Sequence, residues 1–145
     1  HDPHRVALLS DAGRWPLPRV GDIVWCHFPE DLSPGPGPKP RPALVLAVGS
    51  IDDQPAVEVA YGTSQRTNRL YAAEFCIRPE DGDAYRAAGL SYATKFNLGK
   101  RIELPYTTTW FAVAPGAPFG RIPQLGLLHP SLMRRARSAW ESIRR

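Results

Sequence analysis

The sequence predicts a mainly β fold: a compact, mostly antiparallel β-barrel carrying a short surface helix and an amphipathic helix near the C-terminal end. Three observations point to it. Short apolar runs rich in β-branched and aromatic residues recur along the chain, punctuated by Gly, Pro and Asp. Proline supplies 16 of the 145 residues, about twice the ordinary share of roughly 5%. Helical patterning is confined to two segments, both in the second half.

The elements follow in order. Gly21 to Phe28 reads as a strand entered through a turn, with Ile23, Trp25 and His27 facing one way and Val24, Cys26 and Phe28 the other. Six prolines then lie between Pro29 and Pro42. With φ fixed and donors missing, this stretch is neither helix nor central strand but a surface loop of polyproline character. It is open whether this loop is a plain connector or a lid beside a site, a role that long loops in small domains often take. Ala43 to Val48 is an unbroken apolar run, the mark of a buried strand. Val57, Val59 and Tyr61 alternate with Glu58 and Ala60, a half-buried strand that runs into Gly62, Thr63, Ser64 and Gln65. Leu70 to Ile77 and Gly99 to Leu104 are further strand candidates.

Glu80 to Ala88 reads as a short surface helix stopped by Gly89. The clearest helix runs from Pro130, suited to a first helical position, to about Arg144. It carries Leu132, Ala136, Trp140 and Ile143 on one face and arginines on the others. Between Pro105 and Leu128 the aromatics Trp110, Phe111 and Phe119 are either anchors pinning an irregular loop to the core or platforms for stacking on bases. The expected organisation is one domain over 1–145, with the barrel at about 19–128 and the basic helix at about 130–144.

Composition narrows the function classes. An apolar fraction of 43% and a charged fraction of 22% are those of a soluble globular protein. No run approaches the roughly 18 apolar residues that span a bilayer, and no signal-peptide pattern is visible. Cys26 and Cys76 lie in apolar, strand-like surroundings and read as buried thiols of a reducing cytoplasm. No spacing suits zinc, so neither metal nor cofactor is expected. The net charge of +4 and pI near 9.4 favour a polyanionic partner mildly. Charge is concentrated at the end: Arg134, Arg135, Arg137, Arg144 and Arg145 stand against Glu141. That basic face is either a nucleic-acid contact or a solvated surface.

The residues that suggest chemistry are Arg41, at the start of one strand, and Thr63, at the end of the next. An arginine and a hydroxyl so placed can meet across a small sheet and hold a phosphate. The order Gly21-Asp22-Ile23-Val24-Trp25, then Phe28-Pro29, then Arg41-Pro42-Ala43-Leu44-Val45-Leu46, then a strand ending in Thr63-Ser64-Gln65 resembles the PemK/MazF-like toxin endoribonucleases. The match covers roughly residues 20–66, with a weaker echo at Ala93 to Arg101. Where the family carries a Gly-x-Glu element before the arginine, this chain has Pro-Gly-Pro-Gly-Pro-Lys-Pro, and Glu30 or Asp31 substitute only if the loop folds back.

The resemblance implies an SH3-like β-barrel with a C-terminal helix, often a homodimer, that cleaves single-stranded RNA without metal and is restrained by an antitoxin protein in the cytoplasm, away from any membrane. Carried over by position, the catalytic residues are Arg41 and Thr63, and Lys39, Ser64, Gln65, Arg66 and Lys95 are candidates for RNA contacts. The chemistry suits those residue types. A guanidinium offers a fixed fork of donors to phosphate oxygens and stays charged, and placed at developing negative charge it favours the transition state. Thr63 would orient the phosphate or stabilise charge through its hydroxyl, and Gln65 would read a base edge or fix a backbone contact. The alternative is a non-catalytic SH3-like barrel that binds nucleic acid or a protein.

Overall fold

A computed structural model describes residues 15–143. Six strands form one antiparallel sheet: β1 (Asp22–Cys26), β2 (Arg41–Ile51), β3 (Gln54–Thr63), β4 (Glu74–Ile77), β5 (Thr94–Pro105) and β6 (Gln124–Leu127), in spatial order β4-β5-β3-β2-β1-β6. Two helices accompany them, α1 (Asp83–Ala88) and α2 (Met133–Ile143). Among the described residues no helix is long and apolar enough to cross a membrane.

The expected barrel does not close. β4 and β6, the two edges, pair only inward, and each is covered instead by a helix. At the β4 edge, α2 caps free backbone groups: Arg135 donates to the Cys76 carbonyl at 2.9 Å and Ser142 Oγ accepts from the Ala73 N–H at 2.8 Å. At the β6 edge, α1 and its stop lie so close that a Cβ on Gly126 would stand 2.2 Å from the Ala87 carbonyl oxygen. Capping by helices removes the exposed N–H and C=O rows that edge-to-edge closure would otherwise have to satisfy.

Alternation along the strands fills two cores, one on each face. Ile23, Leu44, Ala60 and Phe96 pack with Leu132, Ala136 and Ala139 of the C-terminal helical segment and with Ala84 and Ala88 of α1. Val24, Cys26, Ala43, Val45, Val57 and Val59 pack on the other face with Leu104, Tyr106 and Phe111. β1 follows the expected facing, with Ile23 and Trp25 on the first core and Val24, Cys26 and Phe28 on the second. Each such side chain, fully buried, contributes roughly 1.5–3 kcal/mol relative to exposure.

Local chemistry explains where the elements stop. The β2–β3 hairpin turns on Asp52 and Asp53, both with positive φ (50° and 65°), the left-handed pair that a two-residue hairpin turn demands. β2 is buried only at Ala43, Leu44 and Val45; Ala47 and Val48 are exposed on the projecting hairpin. The strand expected from Leu70 begins at Glu74, and that expected from Gly99 begins five residues earlier, at Thr94. Opposite β3, Leu98 to Lys100 bulge out, because Asn97 faces Tyr61 while Arg101 already faces Ala60. The helix expected over Glu80–Ala88 is broken at Gly82 (φ +63°) into a 3-10 turn, Pro79–Asp81, and α1, which ends at Gly89 in the left-handed conformation (φ +70°) as expected.

Pro130–Leu132 forms a 3-10 turn leading into α2, with His129 as a side-chain cap on the Ser131 N–H. Leu132 and Ala136 are buried as the helical pattern predicts, but Ala139 completes the stripe while Trp140 sits at its rim, 37% exposed beneath Arg101. Arg144, the last residue assigned to this helix, lies outside the described residues. In the aromatic segment Phe111 is a core residue and Trp110 packs on the core, so both are anchors, whereas Phe119 is half exposed.

Candidate functional site

Strand register gathers the residues singled out in the sequence. β2 and β3 pair with Ala43 opposite Tyr61, and two further steps of that register set Arg41 opposite Thr63. Thr63 in turn faces Lys95 on β5, Lys95 faces Cys76 on β4, and Arg41 faces Cys26 on β1. Arg41, Thr63 and Lys95 therefore share one rung across three adjacent strands. Directly opposite residues in an antiparallel pair have Cβ atoms about 4.5–5.5 Å apart, so this rung concentrates two cations and a hydroxyl.

Gly62 makes the rung possible. A Cβ there would stand 2.3 Å from the Pro42 carbonyl oxygen and 2.8 Å from Phe96 Cε1. Only a residue without a side chain lets β2 and β5 approach β3 from both sides at this point.

Arg41 and Thr63 line a cleft of 330 Å³ together with Trp25, Ser64, Tyr92 and the start of β2. Leu90 and Leu125, both nearly buried, lie at its apolar base. Arg41 is the only charged side chain among the cleft's lining residues, and Thr63, Ser64, Ser91, Tyr92 and Thr94 supply hydroxyls. Thr63 Oγ1 accepts from the Gln65 N–H at 3.1 Å. A hydroxyl has one donor and two lone pairs, so the Thr63 O–H keeps its donor for a ligand. Tyr92 is 71% exposed at the rim.

The proline loop folds back. The Gly37 N–H donates to the His27 carbonyl at 3.1 Å, the His27 ring bonds the Gly37 carbonyl at 2.8 Å, and Asp31 pairs with Lys100 at 3.0 Å. A Cβ on Gly37 would lie 2.3 Å from the Phe28 carbonyl oxygen, so the loop is seated against the end of β1. This brings Glu30, Lys39 and Arg41 around a second, smaller pocket of 240 Å³. Arg41 borders both pockets. Among the described residues no ion pair joins Arg41 to Glu30 or Asp31.

The remaining candidates separate. Ser64, Gln65 and Arg66 are exposed on the turn after β3, and Lys39 is exposed on the loop. Lys95 is 6% exposed; its ammonium pairs with Glu74 at 3.2 Å and donates to the Arg69 carbonyl at 2.9 Å. Its charge thus holds β4 and the stretch that precedes it in place, and Lys95 does not line the cleft. Tyr92, Ser91 and Trp25 were not foreseen as site residues. Nothing in the local sequence around Leu90 to Thr94 marks it as a cleft wall, because its position depends on α1 docking against β6.

Cys26 and Cys76 are free and buried, and burial pushes both thiols up from their usual range. They stand at opposite ends of the rung, four strand spacings apart, on the order of 15–20 Å, far beyond the reach of a disulfide. Among the described residues no three His, Cys, Asp or Glu side chains converge as a metal site would need.

No protein-family model matches the chain, and no curated protein is significantly similar to it.

Proposed function

We propose that the chain is a metal-independent endoribonuclease whose cleft holds a phosphodiester of single-stranded RNA between Arg41 and Thr63. The observation that carries this reading is that Arg41 and Thr63, opposite one another on adjacent strands, both border one cleft in which Arg41 is the only charged lining residue among the described residues. Arg41 is half-buried and has no carboxylate partner among the described residues, and such a guanidinium favours an anionic ligand that balances its charge.

In this reading the ribose 2′-oxygen attacks phosphorus and the bond from phosphorus to the 5′-oxygen breaks, leaving a 2′,3′-cyclic phosphate and a 5′-hydroxyl end. Arg41 stabilises the charge that develops on the non-bridging oxygens, and Thr63 donates a hydrogen bond that fixes the phosphate. Glu30, which shares the smaller neighbouring pocket with Arg41, is the carboxylate that would accept the 2′-hydroxyl proton from a substrate reaching across Arg41. The leaving oxygen takes its proton from solvent, since a guanidinium is too basic to release one readily. Trp25 and Tyr92 offer faces on which flanking bases stack. The proposal extends to a toxin of a type II toxin–antitoxin pair, a homodimer restrained by a protein antitoxin, built on a sheet related to the SH3-like barrel.

A second reading is a binding module that holds RNA without cutting it. It is favoured by the cleft lining itself, which contains no carboxylate or imidazole, Glu30 standing in the neighbouring pocket. Incubating long single-stranded RNA with the protein in EDTA and mapping the ends separates the two. Discrete cuts with 5′-hydroxyl ends are expected, slowed about 10²–10³-fold by Arg41→Ala, the loss typical of one oxyanion donor. RNA that is retarded in a gel but left intact at high protein excess would replace the enzyme with the binding module.

A further inference from the structure

The second large concavity of the molecule lies on the far side of Lys95. It is an open groove of 680 Å³ between the β4 edge and α2, bordered by Arg78, Arg134, Arg135, Ser131, Ser138 and Tyr71. We propose that this groove binds single-stranded RNA as an extension of the cleft, taking the nucleotides that flank the phosphodiester held at Arg41. The proposal rests on the RNA reading of the cleft but not on cleavage.

Charge bookkeeping in the groove leaves a surplus of cations. Of the acids near it, Glu74 is held by Lys95 at 3.2 Å and Asp81 by Arg135 at 2.7 Å, and Glu141 is exposed on the same helix as Arg134, Arg135 and Arg137. The Arg78 guanidinium donates to the neutral Thr67 carbonyl, and Arg134 is exposed with no ion pair among the described residues. Three arginines, Arg78, Arg134 and Arg135, therefore border the groove against one lining acid, Glu74, that Lys95 already holds, a surplus that suits a polyanion. Ser138 is an exposed hydroxyl on the helical wall and can donate to phosphate oxygens, whereas the Ser131 hydroxyl already donates to His129 Nδ1 at 2.8 Å.

The opposite wall supplies what a nucleic acid needs and an acidic peptide does not. Tyr71 is 60% exposed, with its hydroxyl accepting from Arg69 and the Lys95 ammonium 5.6 Å from its ring centroid. An exposed aromatic face among arginines is the arrangement that stacks an unpaired base while its phosphates are neutralised.

The two sites are also continuous. The chain leaves the cleft at Thr63 and Ser64 and enters the groove at Leu70 and Tyr71. Between them it exposes Arg66 and Arg69. Arg78 and Lys95 fasten this stretch through the Thr67 and Arg69 carbonyls, so a basic path links one site to the other.

The test uses the whole chain and a fluorescent 2′-O-methyl dodecanucleotide, which has no nucleophile and reports binding alone. Fluorescence anisotropy across a salt series is measured for the parent, Arg134→Gln and Tyr71→Ala. Loss of one phosphate contact reduces the log–log salt slope by about 0.7 for Arg134→Gln. Loss of one stacked base weakens binding roughly tenfold or more for Tyr71→Ala. Both side chains are exposed, and an unchanged melting temperature verifies that the fold survives. Slopes and affinities equal to the parent's in both variants overturn the proposal. So does displacement of the RNA by a polyglutamate peptide at equal charge concentration, which would make the groove a peptide site. If both effects appear while unmodified RNA stays uncut, the enzyme reading fails and the groove stands.

Discussion

Gly62→Ala tests whether the close approach at the end of β3 both stabilises the fold and positions the cleft. The added methyl would meet the Pro42 carbonyl oxygen at 2.3 Å and Phe96 Cε1 at 2.8 Å. The first is backbone in β2, so relief requires a strand to move. The second belongs to a ring with no exposed surface, packed on Phe75 at a centroid distance of 5.8 Å, so it has no void to turn into. Overpacking of this kind costs about 1–3 kcal/mol. Up to about 1 kcal/mol returns because alanine restricts the unfolded chain more than glycine. A net loss of about 1–2 kcal/mol is expected, a fall of roughly 2–8 °C in melting temperature for a domain of this size. Urea unfolding followed by tryptophan fluorescence reads it as a lowered midpoint at constant slope. Gly49→Ala is the control: it lies on the same sheet, and its added Cβ would meet only Glu103 Oε2, at an ordinary 3.8 Å. It should be neutral or slightly stabilising. Equal midpoints for the two variants would refute the packing account, and with it the reason given for the proximity of Arg41 and Thr63.

Two further outcomes follow from ion pairs that hold the site. Lys95 and Glu74 have side chains only 7% and 9% exposed, so Lys95→Ala strands a buried carboxylate and should cost about 3–5 kcal/mol, whereas Lys95→Met with Glu74→Leu should recover most of it; equal losses in single and double variants by urea unfolding would contradict this. The hydrogen bonds from Arg135, assisted by the Arg78 N–H, hold the Asp81 carboxyl below its usual range. A depressed folded value means the pair stabilises the protein above the unfolded carboxylate range, near pH 4, and that this contribution is lost as pH falls through the folded value. Asp81→Asn should therefore lower stability by about 1 kcal/mol or less near neutrality and lose less than the parent on acidification, as thermal melts from pH 7 to pH 2 would read.

Much of the fold was legible because it is written in short-range chemistry. The alternation of Ile23 and Trp25 against Val24 and Cys26 follows from the two-residue period of a strand, and Gly89 stops α1 because it adopts a left-handed backbone without strain. β6 was missed because Gln124 to Leu127 is only four residues long, too short for a period to register. The break at Gly82 and the late start of β4 were missed as well, since both depend on which neighbour each backbone group finds.

The sequence by itself determined β1 to β3, the order Arg41 then Thr63, the burial of both cysteines and the basic face of the last helix, all properties that local patterning encodes. Only the tertiary structure decided that the sheet stays open, because α1 and α2 cap the edges that closure would have joined. It also decided that Lys95 turns to Glu74 rather than to the cleft, and that the proline loop folds back so that Glu30 and Arg41 border one pocket. Each of these rests on contacts between residues far apart in the chain, where distance along the sequence carries no information about who meets whom.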